Sequence, residues 1–257
     1  MDLQLTGKVA LVTGASRGIG RAIAETLAAE GMQVALVARS AELLQEAAAT
    51  LPTASLVLPA DLREPQRPAE VVEATVAHFG RLDLLVNNAG ATVRGDFLAL
   101  SDADWQDGFA LKFYGAMRCA RAAWPHLQRS QGAIVNIVGI GGRTGSAEFT
   151  IGGAVNAALL NLTKALADRG VADGVRVNAV NPGSIATERL ERRIATFVRE
   201  TGADAATAAQ QMAKALRVAR FGEPAEIARA VAFLGSPVAS YCQGVVLDVD
   251  GGQTRTL

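Results

Sequence analysis

The chain has 257 residues and half of them are hydrophobic, so there is ample material for a buried core and no compositional case for disorder. Its 25 basic residues balance 25 acidic ones, which leaves no basic excess for a nucleic acid. Cys119 and Cys242 stand alone without metal-ligand spacing. No leader-like N-terminus and no apolar run of about 18 residues is present, so a cytoplasmic protein without metal, nucleic-acid or membrane partner is expected.

Along the chain, short apolar runs alternate with longer Ala-rich helical patterns. VALVTG (9–14) precedes a helix at 18–30, QVALVA (33–38) one at 41–50, and SLVLPA (55–60) one at 66–79. LDLLVNN (82–88) then leads to a helix at 102–128, and AIVNIV (133–138) to one at 151–170. VRVNAVN (175–181) is followed, after a polar stretch, by a helix at 224–235 and the last run, VVLDVDG (245–251). The runs are continuous rather than alternating, as strands buried on both faces require. The order implies an α/β fold: a doubly wound parallel sheet in a Rossmann-type three-layer sandwich, one domain over 1–257. The polar helical stretch 185–220 reads either as a solvated helix pair or as a substrate lid over the strand carboxyl ends.

After the first strand stands Thr13-Gly14-Ala15-Ser16-Arg17-Gly18-Ile19-Gly20. Glycines between a strand and a helix permit a tight turn and close backbone approach to a pyrophosphate, which the helix N-terminus favours. The spacing is G-x-x-x-G-x-G, not G-x-G-x-x-G. The second strand ends in Ala38-Arg39, where an NAD site would place an acid on the ribose hydroxyls. Arg39 and Arg17 could instead grip a 2′-phosphate, each charge-assisted hydrogen bond contributing roughly 1.5–3 kcal/mol. This favours NADP(H) over NAD(H).

TGASRGIG, Asp61-Leu62, Asn87-Asn88-Ala89-Gly90, Asn181-Pro182-Gly183, Phe221-Gly222-Glu223-Pro224 and Asp250-Gly251-Gly252 occur in that order across nearly the whole chain. Together they resemble the short-chain dehydrogenases/reductases. The resemblance implies a homotetramer or homodimer and a small-molecule substrate. It implies that Gly14, Gly18, Ile19 and Gly20 line the pyrophosphate, with Ser16, Arg17 and Arg39 at the 2′-phosphate. Asp61 and Leu62 would flank the adenine. Asn87, Ala89 and Gly90 would sit against the ribose, and Pro182, Gly183, Ile185 and Thr187 at the nicotinamide end. Asn87 and Asn88 also allow a purely structural reading, as ties between strands.

The family's usual Asn, Ser, Tyr and Lys do not carry over. By their flanks, the four positions are Lys112, Gly139, Gly152 and Asn156. No Tyr-x-x-x-Lys exists in another register, since the tyrosines are Tyr114 and Tyr241 and the lysines Lys8, Lys112, Lys164 and Lys214. Lysine and asparagine have exchanged helices, so an ammonium could remain in the pocket from the opposite wall, with Lys112 and Asn156 as candidate catalytic groups. The alternative for Lys112 is a side chain that reaches solvent. Gly139 and Gly152 are expected to open space for a bulkier substrate or a partner helix. Glu148 is a weaker candidate acid, and His78 and His126 are expected on the surface away from the crevice. Three functions stay open: an NADP(H)-dependent oxidoreductase acting on carbonyls and alcohols with a rearranged site, a non-redox lyase or isomerase, and a catalytically silent nucleotide-binding paralogue.

Overall fold

Successive side chains of each strand feed opposite sides of one sheet, which is why the strands read as unbroken apolar runs. The strands are β1 (Val9–Thr13), β2 (Gln33–Ala38), β3 (Ser55–Pro59), β4 (Leu84–Asn87), β5 (Ala133–Ile137), β6 (Arg176–Pro182) and β7 (Val246–Val249). They come from a computed structural model, which describes residues 1–255. Ala10, Val12, Val34, Leu36, Val86 and Val135 pack under the helices α1 (Gly18–Ala29), α2 (Ala41–Ala48) and α9 (Pro224–Gly235). Val9, Leu11, Ala35, Val37, Leu85 and Ile134 pack on the other side, under α3 (Arg67–Phe79), α5 (Ala116–Ser130) and α6 (Thr150–Asp173). The expected three-layer sandwich follows directly.

All pairings are parallel, in the order β3-β2-β1-β4-β5-β6-β7. The order reverses between β1 and β4, and a ligand crevice forms at such a reversal, outside the strand carboxyl ends. The last expected strand residues mostly turn out to be loop, for local reasons. Gly14 has φ +68°, which ends β1 at Thr13. At the other end of β4, the buried Asp83 carboxylate takes Val9 N (2.9 Å) and the Arg81 guanidinium, so 82–83 cap the sheet rather than extend it.

The helix expected at 102–128 is not one regular helix. It divides into α4 (Asp102–Phe109), a π-helical turn over Ala110–Gly115, and α5. Glycines flank the wide turn and let it press inward. A Cβ on Gly108 would stand 2.5 Å from Ile151 Cγ2, and one on Gly115 would stand 3.3 Å from the Leu62 carbonyl oxygen. Such turns often mark functional positions, and this one carries Lys112.

The 185–220 stretch forms two helices, α7 (Glu188–Thr201) and α8 (Ala205–Ala215). The start of α7 is held down over the crevice. Glu188 pairs with Arg17 at 3.0 Å, Arg189 Nη2 donates to the Gly90 carbonyl at 3.2 Å, and Leu190 is buried. No helix among the described residues is long and apolar enough to cross a membrane.

Candidate active site

The glycine turn closes on itself so tightly that side chains are excluded. A Cβ on Gly20 would lie 2.1 Å from the Gly14 carbonyl oxygen, and one on Gly14 would lie 2.8 Å from Asn88 Nδ2. Arg17, the N-cap of α1, offers no side-chain cap. The first-turn N–H groups, which have no partners within a helix, are therefore left for an anion. Asn88 Nδ2 donates to the carbonyls of Thr13 (2.9 Å) and Gly14 (3.2 Å), while Thr13 Oγ1 accepts from the N–H groups of Asn88 and Ala89. Asn87 is buried, and its Nδ2 donates to Asn136 Oδ1 on β5 at 2.9 Å. The two asparagines thus do tie strands together, as the structural reading had it. Asn87 Oδ1 has no partner among the described residues.

Two details differ from expectation. Leu62 is 4% exposed and part of the core, so only its backbone is available to an adenine. Arg17 already has a carboxylate partner in Glu188, while Arg39 is exposed just past the end of β2. Asp61 accepts from Arg63 N at 3.0 Å. On the far side of the crevice Pro182 and Ile185 are buried, and a Cβ on Gly183 would collide with Asp250, 2.7 Å from its Cα. Thr187 packs by its methyl over Gly18, where a Cβ would be 3.4 Å away. Residues 13–20 therefore lie against both 87–90 and 182–187, outside the carboxyl ends of β1, β4 and β6.

Lys112 turns inward from the π turn. Its stem lies on Gly90, where a Cβ would be 3.0 Å from Lys112 Cδ, and Nζ donates to the Val138 carbonyl. Burial, reinforced by the Arg189 guanidinium, pushes the ammonium down to about 7. It does not run out to solvent. On the other side of the same segment Asn156 is 3% exposed, and a Cβ on Gly139 would stand 3.3 Å from its Nδ2. Asn156 Oδ1 is buried without a partner among the described residues. Lys112 and Asn156 thus border the end of β5 from two walls.

The space expected at Gly152 is not empty. The Phe149 ring lies over it, so closely that a Cβ there would be 2.0 Å from Cζ. The same ring covers Gly141, where a Cβ would lie 2.9 Å from Cε1. Gly152 at the start of α6 therefore accommodates an aromatic ring of its own chain, while a Cβ on Gly153 would stand 3.2 Å from the Gly141 carbonyl oxygen. Gly139, at φ +123°, is in a conformation that disfavours any side chain.

Reading the sequence missed Arg94, Arg189 and Phe149. The Arg94 guanidinium stacks on the Phe149 ring, 4.1 Å from its centroid. Burial lowers its pKa first, then repulsion from Arg193 and, more weakly, from Arg189, while Glu148 opposes. The available signal was T-E-R-L-E-R-R at 187–193, which puts Arg189 and Arg193 four apart on one helix face. Glu148 is exposed beside Arg94. His78 is exposed against Phe79, as expected, whereas His126 is largely covered, its side chain 10% exposed and paired with Glu73 at 3.0 Å; both lie outside the crevice. Lys164 lies beside Gly244, ahead of β7.

A family model described as enoyl-(acyl carrier protein) reductase matches residues 14–254. The 3-oxoacyl-(acyl-carrier-protein) reductase FabG of Vibrio cholerae is 36% identical over 256 residues, covering 97% of this chain and 98% of that protein. The short-chain reductase protein NovJ of Streptomyces niveus is 35% identical over 249 residues, covering 95% and 93%. Among solved structures, L-sorbose reductase from Gluconobacter frateurii, complexed with NADPH and L-sorbose, has a TM-score of 0.96 and 35% identity, with both chains covered completely.

Proposed function

The chain belongs to the short-chain dehydrogenase/reductase family of oxidoreductases, and on that premise we propose that it is an NADP(H)-dependent carbonyl reductase whose proton donor is Lys112. The observation that carries this reading is the inward Lys112 ammonium, hydrogen-bonded to Val138 O beside Gly139.

The crevice fits a dinucleotide. The turn from Gly14 to Gly20 has no room for a Cβ at either end, and its helix start offers unclaimed N–H donors to a pyrophosphate. Ser16, Arg17, Gly18 and Ile19 complete that cradle. Arg39 is exposed at the tip of β2, close enough to Asp107 to act on its carboxylate, and with no carboxylate at positions 38–39 NADP(H) is the better match. NADPH in the L-sorbose reductase structure supports the same choice. Asp61 and the Leu62 backbone would hold the adenine, and Asn87, Ala89 and Gly90 the ribose. Pro182, Gly183, Ile185 and Thr187 would hold the nicotinamide end. When bound, the nicotinamide supplies the hydride.

The chain's own part is to place a carbonyl and protonate its oxygen. With no phenol at 152, Lys112 Nζ is the proton source, held in place by the Val138 carbonyl. A general acid works best with a pKa near the operating pH, and burial brings this ammonium to about 7. Asn156, whose Nδ2 faces Gly139, would donate a hydrogen bond to a substrate oxygen or a water there. Helices α7 and α8 act as the lid: opening requires the Arg17–Glu188 and Arg189–Gly90 contacts to part.

Fluorescence titration with NADPH and NADH, followed by NADPH oxidation over a panel of aldehydes and ketones, tests this reading. Tight NADPH binding, weak NADH binding and turnover of at least one carbonyl are expected. Binding of neither nucleotide would end the redox reading. NADPH binding without oxidation by any carbonyl would instead favour a silent nucleotide-binding protein.

A further inference from the structure

Around the crevice, arginines generally meet carboxylates: Arg17 meets Glu188, Arg63 meets Asp107, and Arg143 meets Asp248. At the mouth beside Phe149 the pattern stops. Arg94 from the loop after β4, with Arg189 and Arg193 from α7, makes no ion pair among the described residues. Lys112 stands just inside, close enough for Arg189 to depress it. Glu148 is the single carboxylate acting on Arg94, against two guanidiniums that repel it. The Arg94 guanidinium also lies over the Phe149 ring, 4.1 Å from its centroid, and that ring is itself seated on Gly152 and Gly141. Arg189 is anchored to the Gly90 carbonyl at 3.2 Å. All three arginines are exposed, so water screens much of their mutual repulsion, and an anion placed among them would relieve what remains. Guanidinium forks match the planar oxygen pair of a carboxylate and the oxygens of a phosphate.

We propose that the carbonyl substrate carries an oxyanion group, carboxylate or phosphate, remote from the carbonyl, and that Arg94 and Arg193 hold it at the crevice mouth with Arg189. This rests on the reductase reading, since it adds a second attachment point to the substrate of that site. It places the oxyanion on the Phe149 side of Gly90, away from the glycine turn where the nucleotide phosphates would lie.

The test uses calorimetric binding to the NADP⁺-saturated protein, with para-formylbenzoate and its methyl ester as the matched probes. Para-formylphenyl phosphate alongside shows which oxyanion the forks prefer. One charged probe is expected to bind about 10- to 100-fold more tightly than the neutral ester, the ratio one or two charge-assisted hydrogen bonds give. That advantage should vanish in Arg94→Met and shrink in Arg193→Met, with NADPH affinity unchanged in both. Equal binding of charged and neutral probes, or an advantage that survives Arg94→Met, overturns the proposal. So does a loss of NADPH affinity matching the loss of probe affinity, which would assign these arginines to the nucleotide. Preferential binding of the anion without NADPH oxidation would instead sink the reductase reading and leave the anion site standing.

Discussion

The two halves of the crevice are built on different principles. On the β1–β4 side, backbone does the work. Gly14 and Gly20 clear space, Thr13 and Asn88 pin the turn, and exposed N–H groups face the opening. On the β5–α6 side the proposed chemistry depends on side chains: Lys112 and Asn156 border the end of β5, and Phe149 fills the space over Gly152. A backbone cradle is constrained by sterics and changes little. A set of side chains can be moved to another wall, as the proposed Lys112–Asn156 exchange would require.

The largest way to break this contrast is to fill the cradle. Gly20→Ala puts a methyl 2.1 Å from the Gly14 carbonyl oxygen. It should abolish measurable NADPH binding in a fluorescence titration and cost about 1–3 kcal/mol of stability in urea unfolding. If binding survives, the nucleotide does not use this turn.

Next is Lys112→Met, which keeps the stem against Gly90 and removes the ammonium. Carbonyl reduction should fall about 10²- to 10⁴-fold while NADPH affinity stays within about threefold. A merely structural lysine would give the same stability profile, so the pH dependence of the rate separates the roles while that of stability reports burial. The folded-state pKa of about 7 lies below the ordinary lysine value of 10.5. Between those values the unfolded chain binds more protons, so burying Lys112 destabilises the wild type fully below about pH 7. That penalty fades as pH rises toward 10.5. Lys112→Met should therefore raise Tm most at and below neutral pH, with the gain shrinking as pH increases.

Arg39→Ala should weaken NADPH by about tenfold or more and leave NADH nearly unaffected, the loss expected for one charge-assisted contact to a phosphate. Parallel titrations check it; an equal loss for both nucleotides would place Arg39 elsewhere. A smaller effect is expected from Gly152→Ala. Its methyl must displace the Phe149 ring, costing about 1–3 kcal/mol in thermal or urea unfolding, and Phe149→Ala in the same chain should recover part of that. Additive losses would show that ring and glycine are uncoupled. Smallest is Glu188→Gln. An exposed ion pair contributes about 0–1 kcal/mol, so freeing Arg17 should change NADPH affinity by at most a few-fold, and less at high salt.

Much of the fold was legible because it rests on periodicity and punctuation. Continuous apolar runs located all seven strands, and Gly14, whose φ of +68° ends β1, marked the turn. The interruption of the 102–128 helix was not legible, since an extra residue in a turn leaves no compositional trace; only Gly108 and Gly115, flanking it, hinted at close packing. The candidate site divides in the same way. The residues of the proposed nucleotide site could be placed from motifs, but the sequence left open whether Lys112 turns inward or reaches solvent, and its bond to Val138 was not legible. The seat of Phe149 on Gly152 and the stacking of Arg94 on that ring join residues 94, 149 and 152 through side-chain directions that a linear pattern does not encode. For that reason Gly152 reads as open space when the Phe149 ring in fact covers it.

The central claim is that a lysine on the opposite wall took over proton donation. The most direct test is the pH dependence of NADPH oxidation by the wild-type protein and by Lys112→Met, with a carbonyl substrate found in the panel. The account predicts that the wild-type rate falls as pH rises through about 7, where the ammonium loses its proton, and that the variant is slow and without that break. A wild-type profile flat through neutrality, or a variant as fast as the wild type, would contradict it.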